Sequence, residues 1–350
     1  MAYDNKKKED GSAGVKKLKD DIKNGTLAPL YVFHGEESYL KEYYRDAIET
    51  QIAASGFAEF NITVFDGGEF NADMLTDAVE SLPFGSEKKL IVIRDLDLGG
   101  ARQEIKDAFL RLFADLPEYI CMILYYEAVA YKPDKRLNLF KNLEKCATVV
   151  QFDRAKGSEL VNWLARRFAA HKKKIGTREC DYIIFLCGSL MTNLITEVEK
   201  IAAYAKGEVI TREDIDAVAS RVLDASVFDL TDCILSQDYK KALAIFRDLM
   251  EQKNEPIAVL SALIRQVQRI YAATLAMQAG QGERYIADLY SFRSSYPARL
   301  LIDAARKTTP QKAAKALDIC CNADIELKSN IPDPERVLEL VILRMAEVAV

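Results

Sequence analysis

The sequence predicts an α/β domain with a parallel sheet flanked by helices, followed by a small helical unit and a larger all-helical one. Three observations carry this expectation. Up to about residue 150, short apolar runs alternate with amphipathic stretches. Strand-like alternation disappears after Ser158. Ten of the sixteen glycines lie in the first part, where a turn-rich α/β topology uses them. Runs that are apolar at nearly every position mark parallel strands covered on both faces.

Taken in order, strands are expected at Leu30–His34, Asn61–Phe65, Leu90–Arg94, Tyr119–Tyr126 and Thr148–Phe152, and helices at Ser38–Ile52, Ala72–Leu82, Ala101–Leu116 and Lys135–Lys145. The helix Ala72–Leu82 carries Leu75, Ala78, Val79 and Leu82 at helical spacing, the mark of a buried face. Pro83 cannot continue it, because it lacks an N–H and its ring clashes with the preceding turn. Phe84 therefore falls in a turn before the next strand. At this level two readings of Leu82 and Phe84 stand side by side. They fold back onto the sheet, or they project as an apolar docking plug.

From Ser158 the pattern is helical. Thr211-Arg-Glu-Asp214 reads as a capping box opening a helix, and about four helices are expected up to Val222. Beyond it, Pro256, Pro297, Pro310 and Pro332 each sit at a plausible helix start, where a missing N–H costs little. The expected organisation is residues 1–152 α/β, 153–222 small helical and 223–350 all-helical, with only the first ten or so residues disordered.

The composition is that of a globular chain with a sizeable core, 49% apolar and 29% charged. A formal net charge of −5 argues against gripping nucleic acid alone through a dominant basic surface. No apolar run approaches the roughly 18–20 residues that span a bilayer, and the Lys-rich start lacks the apolar segment of a secretion signal. Seven scattered cysteines without a CxxC pair read as buried free thiols of a reducing cytoplasm.

Nothing in the chain calls for catalysis. A phosphate-binding loop is expected after the first strand and needs glycines, a Lys and Ser/Thr. Here that stretch is Gly35-Glu36-Glu37-Ser38-Tyr39-Leu40-Lys41, with two carboxylates where phosphate would sit. Neither Gly-Lys nor GxGxxG occurs. Asp95 and Asp97, at the end of the third strand, read as turn and cap residues. Two histidines, His34 and His171, and no paired Cys/His spacing leave no metal or cofactor site to propose. A basic cluster, Arg166 with Lys172, Lys173 and Lys174, complements a helix C-terminus. Auxiliary, salt-sensitive contact with DNA is its other reading.

Three ordered segments carry a resemblance. They are Pro29-Leu-Tyr-Val-Phe-His-Gly-Glu-Glu-Ser-Tyr-Leu40, then Glu80-Ser-Leu-Pro-Phe-Gly-Ser-Glu-Lys-Lys-Leu-Ile-Val-Ile-Arg94, and Asp324-Ile-Glu-Leu-Lys-Ser-Asn-Ile-Pro-Asp-Pro-Glu-Arg336 before a closing apolar helix. Together with the missing phosphate loop they make the chain similar to the delta-subunit family of bacterial DNA polymerase III, the clamp-loader subunit that opens the sliding clamp. The resemblance implies an AAA+-like first domain without ATPase motifs, a helical lid and a collar for oligomerisation. It implies that Ser81, Leu82, Pro83, Phe84 and Gly85 bind the clamp, with Leu82 and Phe84 as anchors. The implied partners are the sliding clamp (beta subunit), the clamp-loader ATPase subunits, a delta-prime-like subunit completing a hetero-pentamer, and DNA through the assembly. ATP would come from neighbouring subunits. The alternatives are an active AAA+-type NTPase with an unorthodox loop, and a helical scaffold or adaptor.

Overall fold

A computed structural model describes residues 2–54, 56–155, 157–292, 294–329 and 333–349. The chain divides into two compact units, Met1–Ala155 and Lys156–Val350. In the first unit the order is α1 (Ala2–Asn24), β1 (Leu30–His34), α2 (Ser38–Ala53), α3 (Ala58–Asn61), β2 (Ile62–Asp66), α4 (Ala72–Glu80), β3 (Lys89–Arg94), α5 (Gln103–Ala114), β4 (Ile120–Tyr125), α6 (Asn138–Cys146) and β5 (Thr148–Gln151). The strands form one sheet in the order β2-β3-β4-β1-β5, and every neighbouring pair is parallel.

The apolar runs explain the layers, because successive residues of a strand face opposite sides. Leu30 and Val32 of β1, Ile91 and Ile93 of β3, and Met122 and Leu124 of β4 pack with Phe109 and Phe113 of α5, Phe140 of α6 and Leu75 of α4. Tyr31 and Phe33, Leu90 and Val92, and Cys121 and Ile123 face the other way, against Leu18 of α1 and Ile48 and Ile52 of α2. This is the α/β architecture expected from the sequence, with strand limits within a residue of the expected ones.

Helix α1 is the main departure, since the segment expected to be disordered lies within it. The physical reason is downstream. Val15, Leu18 and Ile22 lie at helical spacing and join the core on this face, with Leu18 fully buried. Gly14 passes so close to β5 that a Cβ there would sit 2.1 Å from the Val149 carbonyl oxygen. The Tyr31 hydroxyl fastens the helix from below, donating to Asp21 at 2.8 Å. The one-turn helix α3, like α1, has no counterpart among the expected helices.

The second unit is helical among the described residues: α7 (Gly157–Ala170), α8 (Thr177–Cys187), α9 (Met191–Tyr204), α10 (Arg212–Val218), α11 (Leu223–Leu235), α12 (Tyr239–Glu251), α13 (Pro256–Gln278), α14 (Glu283–Leu289), α15 (Tyr296–Arg306), α16 (Pro310–Leu327) and α17 (Pro334–Ala349). The capping box forms as expected, with the Asp214 carboxylate accepting from Thr211 N at 2.9 Å while Asp214 N donates to the Thr211 hydroxyl at 3.3 Å. Pro256, Pro297 and Pro310 fall at N1 or N2 of their helices. Pro332, with Asn330 and Ile331 of the C-terminal segment, lies outside the described residues. Five cysteines are buried, but Cys146 is half-buried and Cys321 exposed, which corrects the uniform expectation. Adjacent residues on a helix point about 100° apart; on α16 Cys320 faces the core and Cys321 the solvent. No single described helix is long and apolar enough to cross a membrane.

Candidate functional site: an exposed apolar turn

The turn after α4 is held by polar groups and presents apolar ones. Asn71 starts α4 by accepting from Met74 N at 2.9 Å. The helix ends at Glu80, two residues before the expected Leu82, and Ser81 is already extended. Pro83 favours that outcome, since a residue before proline is pushed out of the helical region. The carbonyls left open at the helix end are taken up from the neighbouring strand. The buried Lys89 ammonium donates to Ala78 O at 2.7 Å and Ser81 O at 3.0 Å, and the Tyr119 hydroxyl donates to Val79 O at 2.9 Å. Burial pulls the Lys89 pKa down, while the negative end of the helix dipole is the natural place for its charge.

Because the helix stops early, Leu82 leaves the buried stripe and is 72% exposed, with Phe84 57% exposed. Folding back onto the sheet is therefore not what these side chains do. Phe84 is fixed through its main chain instead. The side chain of Asn61, buried at the end of α3, accepts from Phe84 N at 2.7 Å and donates to Phe84 O at 2.7 Å and Phe57 O at 3.1 Å. The Phe84 ring meets Phe57 edge-on, centroids 5.0 Å apart, and lies 5.5 Å from Phe60. Gly85 closes the turn at φ 61°, and a Cβ there would stand 2.7 Å from the Phe57 ring. A left-handed φ and that close approach both call for glycine.

The structure thus brings Ser81–Gly85 together with three residues the sequence reading missed: Phe57, Phe60 and Asn61. The available signal was slight. Phe57 and Phe60 have i, i+3 spacing after Gly56, but a one-turn helix is too short for periodicity to show it.

The position of a phosphate loop is occupied by the protein's own contacts. Gly35 (φ 112°) has no room for a side chain, since a Cβ would sit 2.3 Å from Phe152 O. Glu36 pairs with Arg154 at 2.9 Å, and the Ser38 hydroxyl donates to the Glu127 carboxylate. The buried Lys41 ammonium donates to Tyr126 O at 2.9 Å and also pairs with Glu127. Asp95 accepts from the N–H groups of Glu127 and Val129 at 2.7 and 3.0 Å, and Asp97 from Gly100 N at 3.1 Å, the turn roles expected of them. Among the described residues no group of three or more His, Cys, Asp or Glu is arranged to hold a metal.

His34, at the end of β1, packs on Tyr131 with ring centroids 4.9 Å apart. Burial is the main cause that pushes its pKa down to about 4, against a raising contribution from Asp153. The unfolded chain protonates this imidazole near 6.5, so between that pH and about 4 it binds more protons than the folded one. Stability is accordingly expected to be full above pH 6.5 and to fall as pH drops towards 4. Urea unfolding across this range checks it, with H34N expected to flatten the slope.

The basic cluster divides. Lys173 donates to Ala205 O at 2.6 Å and Gly207 O at 2.7 Å, which makes it a structural tie at the end of α9. Lys172 ends α7 in the left-handed region, φ 59°, a common helix terminus. Lys174 is exposed and stands 3.8 Å from the Glu208 carboxylate. Arg166 is exposed, its Nε donating to Asn162 O at 3.3 Å. Of the four, Arg166, Lys172 and Lys174 present charge to solvent.

Comparison with known proteins bears on both units. A family model described as DNA polymerase III, delta subunit matches residues 31–153, and one described as DNA polymerase III delta subunit, C-terminal domain matches residues 224–345. The DNA polymerase III subunit delta of Bacillus subtilis is 24% identical over 337 residues, spanning 93% of this chain and 94% of that protein. A probable DNA polymerase III subunit delta of Aquifex aeolicus is 22% identical over 260 residues, 72% of each chain. Among solved structures, the Bacillus subtilis DNA clamp loader delta protein matches the fold with a TM-score of 0.57 at 24% identity, over 95% of this chain and 99% of that one.

Proposed function

Because the chain belongs to the DNA polymerase III delta subunit family, we propose that it serves in a clamp loader as the subunit that binds and opens the sliding clamp. The observation that carries this reading is the turn itself. Two large apolar side chains, Leu82 and Phe84, stand in water on a main chain held by buried Asn61 and Lys89. A fold that spends two buried polar side chains on exposing apolar ones is built for a partner. Ser81, Pro83 and Gly85 shape the turn, and Leu82 and Phe84 enter an apolar pocket on the clamp as anchors.

Ring opening follows from differential affinity. A ligand shifts an equilibrium only as far as it prefers one state, so the anchors favour the clamp conformation whose interface no longer closes. Residues 153–222 act as a lid and residues 223–350 as a collar that joins ATPase subunits and a delta-prime-like subunit in a hetero-pentamer. ATP is handled by those neighbours, in keeping with the contacts that fill Gly35–Lys41. DNA is met through the assembly, with Arg166, Lys172 and Lys174 as auxiliary contacts, and the setting is the bacterial cytoplasm. Calorimetric titration of the purified chain with a bacterial sliding clamp tests the reading. Saturable binding without nucleotide is expected, and its absence at tens of micromolar overturns the proposal.

A further inference from the structure

We propose that the clamp-binding surface extends from the turn to α3, with Phe60 as a third apolar anchor and Phe57 as the residue that sets the direction of the Phe84 ring. This rests on the reading of the turn given above and adds to it a second, sequence-distant segment.

The two segments form one surface. Asn61 joins them by bonding the main chain of Phe84, 23 residues away, as well as its own helix. Phe60 is 62% exposed and Phe57 41% exposed, beside a Phe84 ring that is itself exposed. Three phenylalanines gathered in water at one place form a contiguous apolar patch rather than scattered surface residues. Their surroundings differ. The Phe57 ring lies under Gly85 and meets Phe84 edge-on at 88°, so it acts as a backstop. Phe60 is the more open of the two and inclines to Phe84 at 55°, which leaves ring surface for a partner.

The charges around the patch select the occupant. Glu59, Glu80 and Glu87 are exposed at its borders, and the nearby Lys88 ammonium is turned to Glu118 O at 2.8 Å. Acidic borders repel a phosphate backbone and suit a protein pocket with an apolar floor. The continuous contact between Phe60, Phe57 and Phe84 then makes the occupant the same one, the sliding clamp.

The test is a clamp-binding titration of the full chain and the variants F60A, F60L, F57A, F84A, F57A/F84A, F60A/F84A and L82A/F84A. F60A is expected to weaken binding roughly tenfold, with F60L intermediate and the melting temperature unchanged. F57A is expected to weaken it by a similar factor through Phe84. F57A/F84A should therefore bind no more weakly than F84A, whereas F60A/F84A should be weaker than either single variant. Wild-type affinity in F60A and F57A, with binding lost in L82A/F84A, overturns the extension and leaves the turn standing. Retained binding in L82A/F84A overturns the reading of the turn itself. An F57A/F84A variant weaker than F84A overturns the positioning role of Phe57.

Discussion

Alanine at both Leu82 and Phe84 is expected to reduce affinity for the sliding clamp by roughly 10²–10³-fold. Full burial of one such side chain contributes about 1.5–3 kcal/mol. Both are already partly shielded in the free chain, so together about 3–4 kcal/mol is the expected loss, and each 1.4 kcal/mol is tenfold. Stability should hardly change, because neither side chain is in the core. Equal melting curves with lost binding are thus the signature of anchors. A core role would reverse the pattern, with a lowered melting temperature and affinity preserved in the folded fraction. Isothermal titration and differential scanning calorimetry on the same preparations separate the two.

Replacing Asn61 with alanine is expected to disturb both quantities. The substitution removes the side-chain partner of Phe84 N and Phe84 O and one of the two donors to Phe57 O, which still accepts from Phe60 N at 3.2 Å. Leaving a buried polar group without a partner costs about 1–3 kcal/mol. These groups gain some access to water when the side chain is lost, so about 2 kcal/mol of stability is the expected loss, seen as a lower urea midpoint. Clamp affinity should fall roughly tenfold, because the turn must then be ordered on binding. N61D is the informative companion. It keeps an acceptor for Phe84 N but turns a buried carboxylate oxygen on the Phe84 and Phe57 carbonyls, so it should be at least as damaging as N61A in both measurements. Wild-type affinity in N61A would show that the turn needs no support.

Much of the fold was legible because the residues that form it repeat a signal. Leu30–His34 is apolar at its first four positions, and the same holds in kind for β3 and β4, so strand, parallel pairing and double-sided burial follow together. The parts that escaped lack repetition. In α1 the stripe Val15, Leu18, Ile22 is diluted by lysines and by Gly14, whose role is visible only once β5 lies against it. Asn61 falls where a strand was expected to begin, and only the return of the chain at Phe84, brought close in space, explains its burial. Leu82 is the instructive case. Its spacing places it on the buried face of α4, while Pro83 after it argues for an early stop, and two residues of helix decide between core and solvent. Spacing alone could not weigh the proline against the stripe. Lys173 shows the reverse limit, since a charge that looks like part of an exposed cluster is spent on two carbonyls that only the folded chain brings near.

The account turns on where the clamp touches this chain, and photo-crosslinking reads that directly. Phe84→p-benzoylphenylalanine keeps an aromatic ring at the turn, and the same replacement at Tyr285, an exposed aromatic residue of the second unit, serves as the reference. With a bacterial sliding clamp present, irradiation is expected to give a covalent adduct from position 84, mapped to apolar residues of one clamp pocket, and none from position 285. Binding that yields no adduct from position 84, with an adduct from position 285 in its place, would contradict the central claim.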